Sequence, residues 1–264
     1  NKIKSSATLI NENVLKKIKS HFASSEKRLI MLDYDGTLID FNDKPKLAIP
    51  SQKLKNLIND ICKKENTDVY IISGRDQKFL SKHFDDLSIN LIAEHGYFKK
   101  PVNKTWLEPN FIENQDWMTD LLPIFETFTD RTPGTFIEKK KTSLVWHYRK
   151  TDPELASERV VEFKTVLNSL ASDELQILDI VKGIEVSRGT INKGKSVIDI
   201  LSEKKYDFIL SAGDDITDET MFASLSSEAF SIKIGRKKTK ANYFVDNPDE
   251  LVSVLEYIIK TSGN

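Results

Sequence analysis

Apolar positions along the chain fall into two rhythms. Arg28-Leu29-Ile30-Met31-Leu32-Asp33 is a short apolar run that stops at an acid, the pattern of a buried strand. After Pro50-Ser51, the residues Leu54, Leu57, Ile58 and Ile61 recur at helical spacing. Val69-Tyr70-Ile71-Ile72 predicts a second buried strand, broken by Ser73-Gly74-Arg75, and a helix with Phe79, Leu80 and Phe84 on one side follows. Leu91-Ile92-Ala93 predicts a third strand. Strand, helix, strand, helix is the order of an α/β protein with a parallel sheet covered on both faces.

From about residue 101 the rhythm changes. Phe111 to Phe128 reads as a helix with Trp117, Leu121, Leu122 and Phe125 along one side, ended by Thr132-Pro133-Gly134. Thr135 to Lys139 and Ser143 to Arg149 predict neighbouring strands, Asp152-Pro153 opens a further helix, and Gln176 to Val181 with Ile184 to Ser187 predicts a hairpin closed by Gly183. Residues 101–187 therefore form an inserted α+β unit, and residues 1–100 with 188–264 form the surrounding core. The first pattern returns with a helix near Gly194, a strand over Asp207 to Leu210, a helix carrying Met221, Phe222 and Leu225, a strand over Phe230 to Ile234, and a closing helix over Leu251 to Ile259. Val14, Leu15, Ile18 and Phe22 predict a docked helix within the first 27 residues.

Composition narrows the function classes. Thirty-nine basic and forty acidic residues nearly cancel, so no basic excess speaks for nucleic acid or an anionic membrane. The single cysteine, Cys62, forms no internal disulfide and no cysteine-rich zinc site, which favours a reducing, cytoplasmic compartment. No secretory signal or bilayer-length apolar run stands out.

The candidate chemistry sits in four turns at strand or helix boundaries, where parallel-sheet proteins place ligands. The first is Asp33-Tyr34-Asp35-Gly36-Thr37. Two carboxylates ~4 Å apart repel by about 4 kcal/mol at an effective dielectric near 20, so a cation or a shared proton must relieve them. Asp33 has the chemistry of a nucleophile that needs no helper base, and Asp35 that of a proton carrier for a leaving oxygen. An Asp-Gly turn that merely ends a strand is the plainer alternative. In the second turn Ser73 offers a hydroxyl to a phosphate oxygen, or else caps the next helix. Third, Lys193 in Asn192-Lys193-Gly194-Lys195-Ser196 lies at a helix start, where a cation is disfavoured unless an anion is near. A solvated lysine, or Lys195 in its place, remains open. The fourth turn, Gly213-Asp214-Asp215-Ile216-Thr217-Asp218-Glu219, concentrates oxygen ligands suited to Mg2+. Capping by Asp215 or Thr217 would account for Asp218 and Glu219 but not for Asp214. His21, His83, His95 and His147 show no metal-ligand spacing, and neither a Walker A loop nor a GxGxxG is present.

Taken in order, these turns resemble the haloacid dehalogenase superfamily of phosphatases. Asp33-Tyr34-Asp35-Gly36-Thr37 matches its first motif, Ser73 its second, Lys193 its third, and Asp214 with Asp218 its fourth. The resemblance implies a Rossmann-like core, an aspartyl-phosphate on Asp33, and Mg2+ held by Asp33, the carbonyl of Asp35 and Asp214, with Asp218 behind them. Ile72-Ser73-Gly74-Arg75, Ala93-Glu94-His95-Gly96, Phe136-Ile137-Glu138-Lys139-Lys140 and Trp146-His147-Tyr148-Arg149 further resemble trehalose-6-phosphate phosphatases. That branch implies hydrolysis of trehalose 6-phosphate, an insertion acting as a cap, and a fused or associated synthase. It also implies that Arg75, Glu138, Lys140, Arg149, Lys182 and Glu185 meet the substrate. The chain departs from the branch where two residues, instead of three, stand between Lys182 and Glu185, a shift that on a strand turns a side chain to the other face. Another sugar-phosphate phosphatase, a phosphomutase and a non-catalytic phosphosugar-binding domain are the alternatives, and loss of Asp33 or Asp35 would mark the last of these.

Overall fold

The structure is a computed structural model, and it describes residues 7–41, 47–107, 116–172 and 174–260. The chain begins with β1 (Thr8–Leu9), α1 (Glu12–Ser24), β2 (Arg28–Leu32), α2 (Gln52–Cys62), β3 (Thr67–Ile72), α3 (Gln77–Phe84), β4 (Asn90–Ala93) and β5 (Phe98–Lys100). The middle holds α4 (Asp116–Asp130), β6 (Phe136–Lys139), β7 (Ser143–His147), α5 (Pro153–Leu170), β8 (Leu175–Ile180) and β9 (Gly183–Arg188). It closes with α6 (Lys193–Glu203), β10 (Phe208–Gly213), α7 (Ile216–Ala223), β11 (Phe230–Ile234), β12 (Tyr243–Val245) and α8 (Pro248–Ile259). Among the described residues, no helix is long and apolar enough to cross a membrane.

The chain divides into two compact units, residues 1–108 with 192–264 and residues 109–191. In the first, eight strands form one sheet in the order β1-β12-β11-β10-β2-β3-β4-β5, parallel throughout except for the antiparallel β4–β5 pair. Alternation along β2 decides which layer each side chain joins. Ile30 and Leu32 pack with Ile18 and Phe22 of α1, Leu57 of α2, Leu80 and Phe84 of α3, and Leu251 and Leu255 of α8. Leu29 and Met31 face the other way, onto Val197 and Ile200 of α6 and Met221 and Phe222 of α7. Both faces of the sheet are therefore covered, as a run apolar at every position requires.

In the second unit β6, β7, β9 and β8 form an antiparallel sheet in that order. Leu144, Trp146, Ile184 and Val186 bury one face under Trp117, Met118, Leu121 and Phe125 of α4 and Phe163 and Leu167 of α5. Burial of each such side chain contributes about 1.5–3 kcal/mol. The helix expected from Phe111 is seen from Asp116 onward, and residues 111–115 lie outside the described residues.

Three details depart from the pattern reading. The division between units falls eight residues after Lys100, because β5 pairs back onto β4 and Lys99 bridges to Leu107, which ties this stretch to the first sheet. The β8–β9 hairpin turns at Val181-Lys182: Lys182 takes the left-handed φ of 60°, while Gly183 already belongs to β9. β1, β5 and β12, two or three residues long, are too short to show an alternation.

Candidate active site

β2 and β10 lie side by side at the centre of the sheet, with Leu32 next to Ala212. The residues that follow them, Asp33 and Asp214, therefore emerge together at one sheet end. The Asp33 N–H donates to the Ala212 carbonyl at 3.0 Å, which fixes the register of the first turn against the fourth. Gly36 lets them close up. Its φ is +77°, and a Cβ there would lie 2.3 Å from Asp214 Oδ2.

α7 supplies Asp218. Asp215 caps this helix in a reciprocal box with Asp218, so the capping explanation and the acid cluster are the same structure. Asp218 Oδ2 accepts the backbone N–H groups of Asp214 (2.9 Å) and Asp215 (3.0 Å). Its other oxygen accepts from Lys193 at 2.7 Å, and Lys193 also donates to Asp33 Oδ1 at 2.6 Å. Lys193 is 2% exposed, so the solvated-lysine alternative is overturned. Asn192 caps α6 through Lys195 N–H, while the Lys195 side chain is exposed beside Asp199. The Thr37 hydroxyl sits 3.0 Å from Asp33 Oδ2 and 3.2 Å from Asp214 Oδ1, linking the two carboxylates.

This is a crowd of buried negative charge. Burial pushes the Asp33 carboxyl well above its ordinary range; Lys193 pulls it down, and Asp218 and Asp214 push it up again. Asp214 is raised to about 6, first by burial, then by Asp218 and Asp215, against the pull of Lys193 and Lys233. Burial alone would lower Lys193, but Asp218 and Asp33 outweigh it and hold the amine above its usual value. Asp33, Asp214 and Asp218 each offer a carboxylate oxygen within 4.8 Å of the others. An all-oxygen, anionic donor set of this kind fits a hard divalent cation.

Ser73 ends β3 and is 1% exposed. Its hydroxyl accepts the Arg75 N–H at 3.1 Å, and α3 is capped by Asp76 instead, which overturns the capping role considered for Ser73. Glu94, His95 and Gly96 all have positive φ, and the His95 and Glu94 N–H groups donate to the carbonyls of Ser73 and Arg75, both at 3.0 Å. His95 thus acts as a turn residue bracing Ser73. Arg75 grips Asp35 with two hydrogen bonds, 2.6 Å and 2.5 Å, and lies over the Phe79 ring at 4.2 Å. The expected proton carrier is therefore held by a guanidinium fork.

Comparison with known proteins agrees with this geometry. The trehalose-phosphatase family model matches residues 31–249, a span that includes every acid of the cluster. The chain belongs to the trehalose-phosphatase family. It is 37% identical to a trehalose-phosphatase of Schizosaccharomyces pombe over 94% of its length and 32% of the relative's. It is also 37% identical to a bifunctional trehalose-6-phosphate synthase/phosphatase of Thermoproteus tenax, over 92% of this chain and 33% of that protein. The chain thus spans about a third of the length of these curated relatives. Among solved structures it is similar to the C-terminal domain of a C. albicans trehalose-6-phosphate phosphatase, with a TM-score of 0.88, 29% identity, and coverage of 97% of this chain and 99% of that one.

In this member of the trehalose-phosphatase family, the second unit gathers some of the expected substrate residues and separates others. Pairing sets Glu138 beside Val145 and Val145 beside Glu185, so the two acids share a face. Glu185 is buried; the Ser143 hydroxyl donates to it at 2.5 Å and Lys140 lies 3.3 Å away. Glu138 pairs with His147 at 2.8 Å, and that bond, with help from Lys140, holds its carboxyl below the ordinary range against the cost of burial. Lys182 and Arg149 sit at the β8–β9 turn instead, Arg149 donating to the Val181 carbonyl at 3.3 Å. The sequence reading assigned no separate role to Thr37 and His147, although both lie in the motifs quoted above, and it missed Lys233, whose signal was a charge in the middle of the apolar strand Phe230-Ser231-Ile232-Lys233-Ile234.

Proposed function

We propose that this chain hydrolyses trehalose 6-phosphate to trehalose and phosphate, with Mg2+ as cofactor. The observation that carries the reading is the convergence of Asp33, Asp214, Asp218 and Lys193 at one sheet end in a trehalose-phosphatase chain. The Asp33 carboxylate attacks phosphorus, and the ester oxygen leaves with the phosphorus–oxygen bond pair. Asp35 gives that oxygen a proton, for which its carboxyl must leave the Arg75 fork. It then takes a proton from water as the aspartyl-phosphate on Asp33 is hydrolysed. Lys193 orients Asp33 and favours its ionised form against the burial that opposes it, and the Ser73 hydroxyl with Arg75 holds phosphate oxygens. Asp33, Asp214 and the Asp35 carbonyl, with Asp218 behind them, would hold Mg2+, which when bound would supply the charge neutralisation that a phosphate dianion needs to approach these acids.

Glu138, Lys140 and Glu185 bind the sugar hydroxyls, and Arg149 and Lys182, set apart at the β8–β9 turn, make further substrate contacts. Their mixed acid and base character suits a polyhydroxylated ligand. Purified chain with Mg2+ should release phosphate from trehalose 6-phosphate well ahead of glucose 6-phosphate, sucrose 6-phosphate and p-nitrophenyl phosphate. Asp33→Asn should lower turnover by at least about 10^4-fold. Equal turnover across the panel overturns the sugar assignment alone, and undiminished activity of Asp33→Asn overturns the mechanism.

A further inference from the structure

Lys233 has no part in the reaction just described, yet it is buried almost as deeply as any charge in the molecule. Along β11, Phe230, Ile232 and Ile234 join the core on one face of the sheet, and Lys233 points to the other, where α7 lies. It is 2% exposed. Burial of an ammonium is costly unless negative partners surround it. Its partners are Glu219 Oε1 at 3.2 Å and the backbone carbonyl of Asp215 at 3.3 Å, both within the acidic turn. In the sheet register it stands beside Gly213, the residue before Asp214. Lys193 serves one end of the acid cluster through Asp33 and Asp218, while Lys233 serves the other through Glu219 and Asp215.

We propose that Lys233 is a resident counter-ion of the acidic turn, stabilising it without metal and competing with the divalent cation for its negative field. The inference rests on the metal reading given above. Two cations near the same carboxylates repel each other, so whatever Lys233 adds to the metal-free turn it subtracts from metal affinity. It is a positioning residue, acting on the cation through the turn it neutralises. A unit charge within one or two side-chain lengths of a divalent ion changes its binding by about 5- to 10-fold.

Opposite signs in two variants separate this role from a merely structural one. Mn2+ binding to the purified chain is followed by electron paramagnetic resonance, with Asp214→Asn as the variant that removes the site. Lys233→Met should bind Mn2+ about 5-fold tighter than the parent, and Glu219→Gln, which leaves Lys233 less balanced, should bind it several-fold more weakly. Lys233→Arg should restore the parent affinity. In EDTA, melting of Lys233→Met should fall further below the parent than it does in saturating Mg2+. Weaker or unchanged Mn2+ binding by Lys233→Met overturns the proposal while leaving the metal reading intact. Absence of Mn2+ binding by the parent overturns both. Should Lys233→Met fail to fold, Glu219→Gln decides: tighter or unchanged binding there overturns the proposal.

Discussion

Each unit holds a buried carboxylate beside a lysine, and the two arrangements differ in how the buried charge is balanced. In the first, one fully buried ammonium is shared by Asp33 and Asp218 at 2.6 Å and 2.7 Å, and Asp214 stands close enough to complete a cation site. In the second, Glu185 accepts from the neutral Ser143 hydroxyl at 2.5 Å, and Lys140, 19% of its side chain exposed, lies 3.3 Å away. The first cluster is held under electrostatic tension that only charge can relieve. The second is a settled hydrogen-bonded pair on a sheet face. The function proposed above places the phosphate at the former and sugar hydroxyls at the latter, in keeping with these two environments.

Substitution of the two lysines would test that contrast most sharply. Lys193→Met leaves two buried carboxylates without their cation. It should cost about 3–5 kcal/mol in chemical denaturation, with phosphate release near background. Lys140→Met should cost under about 1 kcal/mol, because the Ser143 bond to Glu185 survives it.

The pH dependence of stability comes next in size. Asp214 is raised to about 6 from an ordinary value near 4, so the folded state binds its proton more tightly than the unfolded chain does. Its contribution is present below about pH 4 and is lost as pH rises through about 6, an effect of about 2–3 kcal/mol on the metal-free protein. Melting in EDTA should show this fall, Asp214→Asn should flatten it, and saturating Mg2+ should mask it. A flat profile in the parent would show that the acids are not in tension.

In the second unit, Glu185→Gln keeps the shape of the buried pair and removes its charge. Its KM for the sugar phosphate should rise about 10-fold with kcat nearly unchanged, a loss of about 1.4 kcal/mol in binding. An equal fall in kcat would place Glu185 with the reacting groups and erase the contrast. The smallest effect belongs to Lys195→Ala. Exposed and paired with Asp199 one helical turn on, it should change stability by less than about 0.5 kcal/mol and leave phosphate release intact.

Much of this was legible before any coordinates. β2, β3, β10 and β11 are apolar runs that can only be buried, and acids directly after β2 and β10 stand out against them. The acid cluster was readable because its members are short-range motifs repeated at equivalent strand ends. Pairings between distant positions were not. Nothing near Asp35 announces Arg75, 40 residues away, and nothing near Thr37 announces Asp214. The role of Ser73 was obscured because Asp76, three residues later, is an equally good cap and takes the position. In the second unit alternation gave the strands correctly, but the hairpin turn fell on Lys182 because a lysine accepted the left-handed conformation that a glycine was expected to take.

Gly36 has a consequence for how this protein can vary. A single methyl there would overlap the Asp214 carboxylate and also meet an unfavourable backbone angle, so even alanine must displace that carboxylate or shift the first turn. The acids and lysines of the cluster can each be replaced by a neutral residue of similar size, which changes charge and keeps shape. Gly36 admits no such replacement: what it contributes is an absence, and any side chain there disturbs the meeting of the two turns while every acid and lysine is still encoded.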